Sequence, residues 1–300
     1  MDIRERAVGS LIGLAVGDAA GAPFEFRRRA EIPSPPPVFE LAWMGRPPGA
    51  WTDDTAMARN LWSSLIASAG ELSAADVLVR HIAWLATDPP DVGSLTRQVL
   101  TRARDGVADA AREFFQRRGP EVSAGNGSVM YCAPLGVAYA RRAEELHELA
   151  PELSAITHWD ERCRTACLAV TLAAAALVRG EPAADAVLSS VGAVIEREGG
   201  EELEFLVAEA GRTRPVDGPD MGFTLFTAGI ALQIVGEGAG FEEGVLHTIS
   251  LGGDTDTNAA VTGALLGAAF GDTAIPAPWL NKLAEREAIE SEAGALASLL

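Results

Sequence analysis

Helical periodicity runs through almost the whole of this chain and limits what it can fold into. "CRTACLAVTLAAAALVRG" (163–180) and "ADAVLSSVGAVIERE" (184–198) repeat apolar and small residues at i, i+3 and i+4. Both are rich in alanine, the residue with the highest helix propensity. No stretch carries a convincing two-residue alternation of a strand ladder. The pattern predicts helices over about 3–19, 53–69, 73–86, 94–118 with a break, 126–140, 160–179, 183–198, 200–210, 222–235, 241–250, 255–270 and 279–298. Gly180, Gly199 and Gly211 close three of them, as suits the left-handed position after a helix. The expected fold is all-α, a compact orthogonal bundle of about a dozen helices. Pro-rich stretches at 31–39 and 45–51 mark a long loop over 25–51, but no Gly/Ser linker divides the chain, so 1–300 is expected to form one domain.

Charge narrows the partners. The chain carries 24 Lys and Arg against 42 Asp and Glu, a formal charge of −18. Nucleic-acid affinity comes mainly from cations meeting phosphates, so DNA and RNA are not expected ligands. A local nest of backbone N–H groups can still hold one small phosphorylated ligand, because it needs no net positive charge. No apolar run is expected to reach the roughly 18–20 residues of a membrane span, and "MDIRERAVGS" lacks the apolar core of a secretory signal, so a cytoplasmic protein is expected. Cys132, Cys163 and Cys167 form no disulfide framework and are read as buried thiols. No heptad seam marks an oligomer, and a monomer is expected.

Two acid clusters stand out against this background. "WTDDT" (51–55) and "LGGDTDT" (251–257) each put two carboxylates among hydroxyls at a predicted helix start. A helix cap needs one such residue, and acids also suit the positive end of the helix dipole, so capping alone accounts for part of each cluster. Asp254 and Asp256 would diverge by about 200° on a regular helix, given 3.6 residues per turn. They converge only if the chain is still turning there, which Gly252 and Gly253 permit. Four carboxylates brought together repel unless protons or cations intervene. With oxygen donors and no His or Cys beside them, magnesium or manganese fits better than zinc. Two ions would let adjacent acids such as Asp53 and Asp54 point to different metals. Ala260, Ala264 and Ala268, with Gly263 and Gly267, recur at i, i+4 after the second cluster and let another helix approach closely.

Two further stretches are candidates for substrate contact. Gly125, Asn126, Gly127 and Ser128 precede a helix pattern and read either as a phosphate cradle or as a plain Asn-Gly turn. Asp18 and Glu25 in "GLAVGDAAGAPFEF" (13–26) read as a buried structural acid or partner to a metal ligand, and as an acid at the entrance to the long loop.

Taken in order, "GDAAGAPFE", "WTDDT", "DVGSLT" (91–96), "GNGSVM", "ITH" (156–158) and "LGGDTDTNAAVTGALLGA" resemble the ADP-ribosylglycohydrolase family over nearly the whole chain. The resemblance implies an all-α fold with a binuclear magnesium or manganese site that hydrolyses the bond between ADP-ribose and an acceptor. It implies Thr52, Asp53, Asp54, Asp254, Asp256 and Thr257 as metal ligands and Glu25 as the acid at the cleft. It also implies Gly125, Asn126, Gly127 and Ser128 as the diphosphate loop and His158 as a neighbour of the distal ribose. A metal-held water would then attack the anomeric carbon, with Asp54 or Asp256 as its base and Glu25 orienting the substrate or transferring a proton. The expected substrate is an ADP-ribosylated protein, most simply one modified on arginine, or a small ADP-ribose conjugate. A non-catalytic ADP-ribose-binding or crystallin-like protein, and another two-metal hydrolase acting on a related substrate, are the competing readings. One departure is Tyr131, where the family commonly has an arginine. Phe223 stands where the family often has an aromatic residue, and reads equally as core.

Overall fold

A computed structural model describes residues 1–300. Fifteen helices follow in order: α1 (Ile3–Gly21), α2 (Asp53–Ala67), α3 (Ala74–Leu85), α4 (Ser94–Arg104), α5 (Ala110–Arg118), α6 (Ala133–Ala138), α7 (Leu146–Ala155), α8 (Glu161–Arg179), α9 (Ala183–Gly192), α10 (Gly200–Glu209), α11 (Thr224–Gly236), α12 (Phe241–Ser250), α13 (Thr255–Phe270), α14 (Ala277–Leu280) and α15 (Arg286–Ala297). The all-α expectation holds. The only sheet is a two-residue antiparallel pair, β1 (Arg27–Arg28) with β2 (Gly252–Gly253), too short to show as alternation in the sequence.

Helices α1 and α13 form the axis of the bundle. Asp2 opens α1 as a capping box: its carboxylate accepts from the Arg4 and Glu5 N–H groups at 2.8 and 2.9 Å, and the Glu5 carboxylate accepts from Asp2 N at 2.7 Å. Gly9, Gly13, Gly17 and Gly21 then recur at every fourth residue on the face toward α13. A Cβ on them would fall 2.0–2.5 Å from the carbonyl oxygens of Gly267, Gly263, Ala259 and Thr255 respectively. The backbones therefore touch, antiparallel, and the end of α1 lies beside the start of α13. The expected small-residue stripe of α13 thus has its partner in a second stripe on α1.

A cluster of 73 buried apolar residues draws on helices from α1 to α15 but takes nothing from α4 or α5. That pair packs instead around Val99, Ala110 and Ala111. Ile3–Phe24 is long and apolar enough to span a membrane, which corrects the expectation that no run reaches that length. Its residues from Gly9 to Ala22 are buried against the other helices. All three cysteines are free and buried, as expected.

Other departures are local. The periodic reading omits α7, whose middle holds Pro151 and so lacks one donor; Leu146, Ala150 and Leu153 are buried there as α7 packs on α8. The helix expected over 126–140 is an open turn followed by a single 3-10 turn (Val129–Tyr131) and the short α6, which has Pro134 in its first turn. The helix expected over 279–298 breaks before α15, where Glu285 takes φ 55°.

Candidate active site

The two acid clusters meet. Thr52 caps α2, its Oγ1 accepting from Asp54 N at 3.3 Å and donating to Asp54 Oδ2 at 3.1 Å. Across from it, Thr257 in the first turn of α13 donates to the same Asp54 Oδ2 at 3.3 Å, so a hydroxyl from each cluster shares one carboxylate oxygen. Gly252 and Gly253 both take positive φ, 74° and 81°, and a Cβ on either would strike backbone within 2.5 Å. The turn they make delivers Asp254 and Asp256 to the same side, as the spacing required.

Neighbouring elements fix these acids. Asp18, fully buried in α1, accepts from Thr52 N (3.0 Å), Thr55 N (3.0 Å) and Thr55 Oγ1 (2.5 Å), and so ties α1 to the free N–H groups of α2. Asn126 Nδ2 donates to Asp254 Oδ2 at 2.9 Å and to Thr227 Oγ1 at 3.1 Å. Gly93 N, at the start of α4, donates to Asp53 Oδ2 at 3.4 Å. Phe26 N donates to Gly253 O at 2.8 Å, which holds Glu25 over the metal-ligand candidates.

The resulting cleft has a volume of about 240 Å³ and is lined by the acids, by the N-terminus of α4 and by Gly125, Asn126, Gly127 and His158. His158 lies beneath the loop: a Cβ on Gly127 would sit 2.8 Å from its Cε1 and 2.9 Å from Thr96 Oγ1, so only glycine fits there. Its Nδ1 pairs with Thr157 Oγ1 at 2.9 Å, and burial lowers its pKa to about 4, keeping the ring neutral. Ser128 departs from the group: its Oγ pairs with Ser154 Oγ at 3.0 Å in the core, away from the cleft. Tyr131 is fully buried too, its hydroxyl 3.4 Å from Thr157 Oγ1, so it supports His158 from below and does not replace an arginine at the cleft. Phe223 pairs its backbone with Gly125 and lines an adjoining depression beyond the loop.

The sequence reading missed Asp91. It stands two residues before Gly93, and Asp91, Glu25 and Asp256 each place a carboxylate oxygen within 4.8 Å of the others. The one signal was "DVGSLT", an acid and a glycine before a helix, with a single carboxylate where the two recognised clusters have a pair. Glu25, expected apart from the ligands, lies close beside one of them, Asp256.

None of the chain's ion pairs involves these acids. Burial, then mutual repulsion, holds Asp53, Asp54 and Asp256 well above the usual carboxylate range. Burial, then the charges of Asp91 and Asp254, raises Glu25 to about 8. Asp54 Oδ1 is buried with no hydrogen-bond partner. An orphan carboxylate oxygen among uncompensated acids, all of them oxygen donors, fits hard divalent cations.

Fold and site together define an all-α protein whose acidic, oxygen-lined cleft is built from helix N-termini and faces a glycine loop. The family model described as ADP-ribosylglycohydrolase matches residues 1–300, and the chain belongs to that family. It is similar to ADP-ribosyl-[dinitrogen reductase] glycohydrolase of Rhodospirillum rubrum, 30% identical over 315 residues, covering 99% of this chain and 97% of the relative. It is also similar to an ADP-ribosylarginine hydrolase of Serratia proteamaculans, 28% identical over 96% of this chain and 77% of that protein. A solved structure described as an "ADP-ribosylglycohydrolase-related protein complex" superposes with TM-score 0.82 at 33% identity, covering 99% of both chains. The protein is thus a glycosidic-bond hydrolase of a family that acts on ADP-ribose conjugates.

Proposed function

We propose that this protein hydrolyses the N-glycosidic bond between ADP-ribose and an arginine side chain of a modified protein, with two magnesium or manganese ions. Convergence of the Asp53–Asp54 and Asp254–Asp256 pairs on one cleft, with the orphan Asp54 Oδ1 among them, carries the metal part of the reading. The arginine linkage draws support from the Serratia relative, which is named for it.

Thr52, Asp53, Asp54, Asp254, Asp256 and Thr257 would hold the ions. When bound, the ions supply positive potential that polarises the sugar and activates water. The chain's own residues do the rest. The Gly125 and Gly127 N–H groups and the N-terminus of α4 receive the diphosphate without a cationic side chain, which reconciles an anionic ligand with a −18 protein; the Asn126 N–H is already given to Gly222 O at 3.0 Å. The neutral His158 ring supports that loop and the distal ribose. Asp54 or Asp256 takes the proton of the attacking water. As the C–N bond breaks, its electron pair leaves with the guanidine, and Glu25 orients the sugar or passes the proton to that nitrogen.

The test is release of ADP-ribose by the purified protein, with each metal in turn, from arginine-linked, serine-linked and O-acetylated substrates, products being identified by mass spectrometry. Release from the arginine conjugate is expected. Tight ADP-ribose binding without turnover, or release of phosphate or base instead, would remove the reading.

A further inference from the structure

A second cavity, of about 300 Å³, opens on the far side of Asp53. It shares Asp53 and Asp91 with the acidic cleft but none of Gly125, Asn126, Gly127 or His158. It therefore adjoins the end of the cleft where the glycosidic bond is cut, not the end that takes the diphosphate. Trp43, Trp51 and Trp84 form its walls, with Pro89 and Pro90 fixing one edge and the exposed Asp88 at the lip.

Indole faces with carboxylates at their edges suit one chemistry best, a planar cation that stacks and donates several hydrogen bonds at once. The protein already uses this pairing in the same place. The Arg46 guanidinium carbon lies 6.0 Å from the Trp43 ring and that of Arg59 lies 5.5 Å from the Trp51 ring. No cation of the chain stands over Trp84. Glu285, also at this cavity, is already paired with Arg59 at 2.7 Å, so Asp53, Asp88 and Asp91 remain the lining carboxylates without an ion pair, against one unpaired lining cation, Arg46.

We propose that this tryptophan-walled cavity is the acceptor subsite, receiving the guanidinium of the modified arginine against Trp84 and Asp88; the inference rests on the arginine reading above. An ADP-ribosyl arginine would then lie across Asp53 and Asp91, phosphates toward the glycine loop and guanidinium among the indoles. A neutral serine oxygen would gain little from the same walls.

The test compares Trp84→Ala and Asp88→Asn with the metal-loaded wild type. Asp88→Asn keeps size and tolerates the φ of 54° found there, so it removes charge with little risk to folding. Each variant is expected to raise KM for an ADP-ribosylarginine conjugate about tenfold, with kcat and calorimetric Kd for free ADP-ribose within about twofold. If wild type cleaves the arginine conjugate and neither variant changes KM, or ADP-ribose Kd weakens in step with it, the subsite is wrong and the function stands. If wild type releases nothing from the arginine conjugate, the function and the subsite fall together.

Discussion

Gly13 of α1 and Gly263 of α13 lie backbone against backbone: a Cβ on Gly13 would stand 2.2 Å from the Gly263 carbonyl oxygen. Alanine is a better helix former than glycine by about 1 kcal/mol, so propensity alone would make Gly13→Ala stabilising. The contact opposes this, since overpacking costs about 1–3 kcal/mol and here the clash is with backbone that cannot rotate away. Gly13→Ala is expected to lower stability in urea by about 2 kcal/mol. Because the two helices carry Asp18 and Asp254–Asp256, its metal affinity should fall as well. A stabilised variant would refute the close approach.

Asp18 touches no substrate in this reading, yet it accepts from two N–H groups and a hydroxyl at the start of α2. Asp18→Ala leaves those donors buried without partners, at about 1–3 kcal/mol each before relaxation. Expected results are loss of about 3 kcal/mol in urea unfolding and of metal occupancy by elemental analysis. Full occupancy would show that the cap of α2 does not position Asp53 and Asp54.

The buried acids also give metal-free protein a pH dependence of definite sign. Burial raises Asp18 to about 6 from 3.8, and burial with neighbouring charge raises Glu25 to about 8 from 4.5. Between the unfolded and folded values the native state holds protons that the unfolded chain has released, so stability falls as pH rises. Metal-free protein should therefore show a Tm that declines from pH 5 to pH 8. Added magnesium should raise Tm more at pH 8 than at pH 5, because cations then relieve the repulsion. A Tm that rises over this range without metal would contradict the arrangement of acids.

How far the site could be read in advance depended on whether its signal was local. Asp53–Asp54 and Asp254–Asp256 were legible because capping and the helix dipole account for only part of each acid pair, and Gly252–Gly253 announced the turn that aims the second. Asp91 was missed because a single acid before a glycine looks like any loop; only the fold brings it to Glu25. The α13 stripe of small residues was visible, but pairing it with Gly9, Gly13, Gly17 and Gly21 required knowing that the chain's two ends meet. Ser128 was grouped with its loop neighbours, but its hydroxyl turns into the core to Ser154, and sequence spacing alone does not reveal to which side of a turn a side chain leaves.

The loop itself can be dissected by two adjacent changes. Asn126 holds Asp254 Oδ2, whereas the Ser128 hydroxyl bonds Ser154 in the core. Removing the partner that orients a metal ligand typically costs 10–100-fold in affinity, so Asn126→Ala should weaken metal binding by about that factor. Ser128→Ala should lose about 1 kcal/mol of stability and keep its metal and kcat. Equal loss of activity in both would mean that the Ser128 hydroxyl reaches the substrate.

Asp54 separates the charge cost of the site from its use. Its Oδ2 accepts from Thr52 and Thr257, while its buried Oδ1 has no partner and repels Asp18, Asp53 and Asp254. In the absence of metal, Asp54→Asn removes one of these repelled charges, and its Tm should equal or exceed that of wild type. In saturating magnesium the order should reverse, because only wild type gains the binding free energy. Glu25→Gln makes the complementary measurement: metal content should stay near that of wild type while kcat falls about 100-fold, the typical worth of a positioned acid or base. Metal lost from Glu25→Gln would place this carboxylate among the ligands, consistent with its closeness to Asp256, and would pass the proton-transfer role to Asp91. Metal retained by Asp54→Asn with an unchanged magnesium response would remove Asp54 from the site altogether.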